Sequence, residues 1–261
     1  MAITALRTVQ TARRVSAALA LALALAAPAA AQEQSLPGGF SLDQIEGIES
    51  IIRSYLMNNP EVLIESLTAY QQRQKLAQAQ RQQQAVVDQR AALTTDPDSP
   101  VLGNPDGDVV MVEFFDYRCP YCRRVAGPVR EILKSDGNIR LVMKEWPILG
   151  PQSVRAARAA LASVRQGKYE AFHFALMTEP GDMNDAHIRR VARAVGLDVK
   201  QLERDMESDE ISEMLRRNRE LASALDIRGT PAIVVGDTLV PGAVDLNALR
   251  RLVAKARAES S

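Results

Sequence analysis

The chain has 261 residues, 46% of them apolar and 25% charged, with 32 basic and 32 acidic side chains and no net charge. This is ordinary globular composition, and it argues against a general nucleic-acid binder, which needs an excess of cations. With two Cys and two His in all, a zinc site of four thiolates, of three thiolates and an imidazole, or of three imidazoles is excluded within one chain. A multi-disulfide scaffold is excluded too.

Residues 1–31 have the layout of a cleaved secretory signal peptide. Arg7, Arg13 and Arg14 precede the apolar run Ala17–Leu25, and Ala29-Ala30-Ala31 supplies small residues for cleavage after Ala31. The run is short for a membrane anchor and ends at Pro28. Removing it leaves 29 basic and 32 acidic residues, a charge of −3. The expected location is the periplasm, where thiols can oxidise.

After a flexible stretch at 32–40, Ser41 and Gln44 form a capping box for a first helix. Ile45, Ile48, Ile51, Ile52, Tyr55 and Leu56 give it an apolar stripe. Asn58-Asn59-Pro60 breaks it, with Asn59 as the expected cap of a second helix and Pro60 at its first position. The stripe continues through Val62, Leu63, Ile64, Leu67 and Tyr70, then fades into 71–84, where eight of fourteen residues are Gln. Strong helix formers fill that segment, so one helix from Pro60 to Arg90 is expected, about 46 Å long at ~1.5 Å per residue. A partly disordered linker is the other reading. Two short helices cannot bury the stripe alone, and a long polar connector carries them away from the C-terminal two thirds of the chain. Self-association is therefore expected of 32–92.

Pro97, Pro100, Gly103, Pro105 and Gly107 mark 93–108 as a linker. Val109–Phe115 reads as a buried strand, a helix runs from the cysteine pair to about Lys134, and Ile139–Glu145 reads as a second strand. Residues 152–225 are helical throughout. Ala232–Val235 and Thr238–Val240 are strands around Gly236-Asp237, and Asp245 caps a last helix. The order supports a mixed α/β sheet covered by helices.

Cys119 and Cys122 come after a strand and open a helix, the context in which C-x-x-C is informative. Free N–H groups and the helix dipole at Cys119 favour a thiolate, and Pro120 suits the first turn. A thiol of pKa ~8.5 is only about 3% ionised at pH 7, whereas one lowered to ~5 is almost wholly ionised. Cys119 is the expected nucleophile, and Cys122, one turn further in, the residue that resolves its mixed disulfides. Two other uses stay open. A structural disulfide would close almost no loop, and two thiolates could hold Cu(I), especially between subunits. Glu113, six residues before Cys119, reads as a part-buried acid of raised pKa able to relay a proton to Cys122, with Lys144 as its charge partner. Alternation alone also allows an outward-facing carboxylate. Pro231 stands at a strand entrance, where cis bonds occur, and Thr230 would then offer its backbone to an extended peptide. His173 and His187 fit no catalytic spacing and read as packing or surface residues. Trp146 reads as core or groove lining.

Phe114-Phe115-Asp116-Tyr117-Arg118-Cys119-Pro120-Tyr121-Cys122, with Gly229-Thr230-Pro231, resembles the DsbA family of thioredoxin-fold proteins over about 109–258, helical insert included. The resemblance implies Cys119 as nucleophile, Cys122 as resolving cysteine, Pro231 as cis-proline and Glu113 as buried acid, with Pro120, Tyr121 and Thr230 at the substrate. Residues 51–56 and 59–63 are similar to the oligomerisation region of ScsC-like members. Tyr121 stands where DsbA has His, and Thr230 where it has Val; both lean towards isomerase-type members. The expectation is a thioredoxin fold with a helical insertion behind an N-terminal helical oligomerisation region. It would be a periplasmic disulfide oxidoreductase and isomerase, homo-oligomeric and without cofactor or resident metal. Its partners would be unfolded or misoxidised secreted proteins and a membrane redox protein, either a DsbD/ScsB-like reductase or a DsbB-like oxidase. A DsbA-type dithiol oxidase, a Cu(I)-binding copper-tolerance protein and a non-redox scaffold are the alternatives.

Overall fold

The computed structural model describes residues 39–179 and 181–260; the signal-peptide segment 1–31 lies outside them. The chain divides between Thr68 and Ala69 into two units.

In the first unit, α1 (Leu42–Asn58) opens on the Ser41–Gln44 capping box. The Ser41 N–H donates to Gln44 Oε1 at 2.9 Å, and the Gln44 N–H donates to Ser41 Oγ at 3.3 Å. Asn59 closes α1 as its C-cap. Its backbone N–H and its Nδ2 both donate to the Tyr55 carbonyl, at 2.9 and 2.8 Å. α2 (Glu61–Asp88), a helix of 28 residues about 42 Å long, begins in this unit and belongs to the second from Ala69 on. The apolar side chains Ile48, Ile51, Ile52, Tyr55, Leu63, Ile64 and Leu67 are all exposed, and α1 buries no residue.

The second unit is built on a five-stranded sheet of order β1-β3-β2-β4-β5. Its strands are β1 (Val101–Gly103), β2 (Val109–Phe115), β3 (Ile139–Glu145), β4 (Ala232–Val235) and β5 (Thr238–Pro241). β2 and β3 are parallel, and the other pairings are antiparallel. The helices are α3 (Arg90–Thr94), α4 (Pro120–Asp136), α5 (Pro151–Ser163), α6 (Tyr169–Thr178), α7 (Asp185–Ala194), α8 (Val199–Asp205), α9 (Asp209–Ala224) and α10 (Leu246–Ser260). The central strands are apolar at nearly every position because helices cover both sheet faces. Met111, Phe115, Leu141, Met143 and Ile233 enter one core cluster with residues of α4, α6 and α10. Val112, Phe114, Val142, Ala232 and Val234 enter a second with Val86, Leu93, Trp146 and Leu225. Trp146 is therefore core, set edge-on to Phe114 with ring centroids 6.5 Å apart.

Segment 93–108 is not a plain linker. Leu93 is buried, and β1 pairs with β3 through Leu102 and Leu141. A Cβ on Gly107 would fall 2.6 Å from the Arg140 nitrogen, so this glycine serves close backbone approach. The same composition of Gly and Pro fits a linker and a strap tight against a strand. The strap also corrects the partner of Lys144. Register places Phe114 opposite Lys144 and Glu113 opposite Met143, so Lys144 and Glu113 lie on opposite faces. Lys144, 1% exposed, bonds Asp96 Oδ2 at 2.9 Å and Ser99 Oγ at 2.8 Å.

Removing one partner of a buried pair costs about 3–5 kcal/mol when the other is left buried and unpaired; that holds for Lys144, 1% exposed, but less for Asp96, which is 13% exposed and keeps Arg217 at 3.7 Å. Asp96→Ala is therefore expected to lower stability by about 3 kcal/mol and Lys144→Met by much less. Equilibrium urea unfolding checks this; equal losses would contradict it.

Candidate active site

β2 ends at Phe115 and the chain turns through Asp116. The Asp116 carboxylate accepts hydrogen bonds from the Arg118 N–H at 2.7 Å, the Ile148 N–H at 2.8 Å and the Leu149 N–H at 3.0 Å. Its carbonyl accepts from the Cys119 N–H at 3.0 Å. One buried side chain thus ties the active-site turn to the loop after β3. Cys119 is the N-cap of α4, with Pro120 in the first turn. Its sulfur does not cap the helix; the thiol donates to the Thr230 carbonyl at 3.2 Å. Cys122 lies one helical turn on. Both are free thiols and both are buried, Cys119 at 4% and Cys122 at 0% exposure. Burial pushes the Cys122 thiol pKa up strongly, and the neighbouring Glu113 and Cys119 charges add to it.

The Thr230–Pro231 bond is cis. The Pro231 carbonyl accepts from the Gly242 N–H at 2.8 Å, which leaves the Thr230 carbonyl to Cys119. In front of this segment is a cavity of about 680 Å³ lined by Tyr121, Arg124, Gly229, Thr230, Pro231 and Leu239 among others. Tyr121 is half exposed, with the Arg124 guanidinium 5.0 Å from its ring centroid.

Glu113 is buried, 3% exposed, and not an outward-facing strand acid. Burial lifts its pKa to about 8. Sequence reasoning missed a second acid on the same face. Glu145, at the end of β3, pairs in register with Phe115. Its Oε1 accepts from Tyr117 OH at 3.1 Å and Tyr169 OH at 2.9 Å. Tyr117 OH also lies 3.0 Å from His173 Nδ1, and Tyr169 stacks on the His173 ring. Burial holds Glu145 well above the usual carboxylate range and lowers His173 to about 3, so the imidazole is neutral. A carboxylate two residues beyond Met143 in an apolar strand was the available signal, because period-2 alternation points both side chains to one face. His173 is a packing residue, as expected, but it packs against the active-site turn. Among the described residues, no cluster of three or more His, Cys, Asp or Glu is placed to hold a metal ion.

A thioredoxin-like sheet with a dithiol at a helix N-terminus beside a cis-proline defines the class: a domain of the DsbA and ScsC oxidoreductase type. Residues 110–254, more than half of the chain, match the DSBA-like thioredoxin domain, and 46–77 match the copper resistance protein ScsC N-terminal domain. The chain belongs to the DSBA-like thioredoxin domain family. It is similar to a thioredoxin-like oxidoreductase from Silicibacter pomeroyi DSS-3, at 53% identity and TM-score 0.64, covering 65% of this chain and 98% of that one. A linker-deletion mutant of Proteus mirabilis ScsC is 28% identical at TM-score 0.65, covering 85% of this chain and 99% of that one. A curated relative, the Na(+)/H(+) antiporter NhaA 1 of Mycobacterium sp. (strain KMS), is 30% identical over 162 residues. That match takes in 60% of this chain and 26% of the antiporter, so the chain spans about a quarter of the length of the antiporter relatives it matches.

Folded Glu113 keeps its proton to about pH 8, whereas an unfolded Glu releases it near 4.5. Between those values the native state binds more protons, so stability falls as pH rises through the window and levels off above it. At pH 7 the loss is on the order of 3 kcal/mol. Glu113→Gln is expected to be more stable than the parent at pH 7, by about that amount, and equal to it near pH 4.5. Urea unfolding at the two pH values measures this, and a pH-independent difference would contradict it.

Proposed function

We propose that this chain is a thiol–disulfide oxidoreductase of the periplasm that exchanges disulfides with secreted proteins and isomerises misplaced ones. The observation that carries the reading is the unequal dithiol: Cys119 at the helix N-cap with its sulfur against the Thr230 carbonyl, and Cys122 sealed one turn below.

In the reducing direction, the Cys119 thiolate attacks one sulfur of a substrate disulfide. The Cys119–substrate bond forms as the substrate S–S bond breaks, and the freed substrate thiolate takes a proton from water. Cys122 gives its proton to Glu113 in its ionised form, about a tenth of the molecules at pH 7, and attacks Cys119 Sγ, and the second substrate thiolate leaves. The substrate gains two electrons and the dithiol loses two. In the opposite direction, a substrate thiolate attacks Cys119 of the disulfide. Glu113, about nine-tenths protonated at pH 7 from its raised pKa, then supplies a proton to departing Cys122. A second substrate thiolate then attacks the substrate sulfur of the mixed disulfide, forming the substrate S–S bond and releasing the Cys119 thiolate. Isomerisation is that same release taken after the reducing attack, before Cys122 acts, so a substrate disulfide is broken and another formed with no net change in electrons. Pro120, Tyr121, Thr230 and Pro231 hold the substrate, with Thr230 offering backbone groups to an extended segment.

The exposed apolar stripe of α1 and early α2 supports homo-oligomerisation through 32–68, and so does the match to the ScsC N-terminal domain. The chain from 69 on counts with the catalytic unit, since Val86 and Leu93 are in its core. Several dithiols facing one substrate would favour isomerisation. A membrane redox protein would reset the dithiol.

Cys119→Ser is expected to abolish rescue of scrambled ribonuclease, and undiminished rescue would refute the mechanism. Ile51→Asp, on the exposed stripe, is expected to lower the sedimentation mass to that of a monomer and to reduce isomerisation while insulin reduction persists. An unchanged mass would contradict the oligomer assignment.

A further inference from the structure

The Gln-rich segment is not explained by the dithiol chemistry. Helix α2 is fixed to the catalytic unit near its C-terminal end. Val86 is 2% exposed in the second core cluster with Ala85 against it, and Arg90 of α3 forms an ion pair with Asp237. Gln82 and Gln78 lie four and eight residues before Val86, hence on the same helix face. Both line the cavity in front of Thr230–Pro231. A helix face anchored at Val86 therefore presents two carboxamides to the cavity that Thr230 also lines.

We propose that Gln78 and Gln82 form a wall of the substrate groove and hydrogen-bond the backbone of an extended, cysteine-bearing polypeptide segment engaged at Cys119. This rests on the thiol-exchange reading of the site. The spacing fits. Four residues of helix rise about 6 Å, and an extended chain repeats the same edge every second residue, about 6.6 to 6.8 Å. Each carboxamide carries a donor and an acceptor, matching the N–H and C=O that one residue of an extended segment turns to one side. A glutamine wall reads backbone and not side chains, so it accepts many sequences. Charge at the cavity adds one preference. Its charged lining residues are Arg124, Arg228 and Asp226, a net charge of +1. Arg228 is engaged by Asp226 at 3.0 Å, while the Arg124 guanidinium lies over Tyr121. Segments with an acidic residue beside the cysteine are favoured over basic ones.

The test uses the full oxidised chain and two synthetic decapeptides, each with one cysteine flanked by Glu or by Lys. One peptide thiolate attacks Cys119 and opens the Cys119–Cys122 disulfide, a second attacks the peptide sulfur of the mixed disulfide and releases Cys119, and the two electrons lost by the two peptides reduce the protein once; the loss of peptide thiol in this single turnover is followed by mass spectrometry of quenched samples. Gln78→Ala/Gln82→Ala is expected to raise the half-saturating concentration of the Glu-flanked peptide roughly tenfold, the loss of two hydrogen bonds, with a larger effect on half-saturation than on the limiting single-turnover rate. Methylating the peptide backbone nitrogens next to the cysteine is expected to cost the parent protein a similar factor and the double variant little more. That non-additivity would not arise from misfolding. Arg124→Glu is expected to reverse the preference between the peptides. Unchanged half-saturation in the double variant, or additive losses on methylation, would overturn the proposal. Reduction of the unsubstituted oxidised chain by dithiothreitol separates the two levels. If the dithiol cycles and the glutamines have no effect, only this inference fails; if it does not cycle, both readings fall together.

Discussion

One turn of helix sets two sulfurs in different surroundings, and the arrangement of the catalytic unit keeps them different. Cys119 is placed where backbone N–H groups lack partners, and Cys122 where water is excluded. The first condition needs a helix that starts at a fixed point. Asp116 provides it, since its carboxylate and carbonyl hold the turn before Cys119 and the loop after β3. The second needs a dry face of sheet beneath α4, which Met111, Phe115, Met143 and Ile233 supply. The dry face also dictates the state of any acid on it. Glu113 and Glu145 are both lifted by burial, so neither is an ordinary surface carboxylate.

The opposite face carries the connection to the N-terminal region. Val86 and Leu93 pack there, Asp96 and Ser99 meet Lys144, and β1 extends the sheet beyond β3. A segment that arrives along this face is held by the core of the sheet itself. That makes the end of α2 part of the second unit and sets two of its glutamines in the lining of the cavity in front of Thr230–Pro231.

Strands β2 and β3 and helix α4 were legible because each carries a local signal: an unbroken apolar run, or a cysteine pair opening a helix. The Ser41–Gln44 box was legible for the same reason, as both partners sit within one turn. The features that escaped were decided by distant residues. Lys144 and Glu113 look like partners on neighbouring strands, and only register shows that they point apart. Asn59 has a helix on either side, and its amide serves the one behind it. The glycines of 93–108 read as flexible because nothing local reveals that Arg140 lies within contact of Gly107. Glu145 was hidden as the last residue of a strand, since the tyrosines that bind it come from the turn after β2 and from α6.

The unequal dithiol is tested most directly by competitive alkylation of the reduced full chain at neutral pH, with each cysteine quantified by peptide mass spectrometry. The account predicts that Cys119 is modified first and that Cys122 stays protected until the protein unfolds. The difference in rate should be at least about a hundredfold, set by the loss of the ionised fraction at Cys122. Equal rates at Cys119 and Cys122 in the folded chain would contradict it.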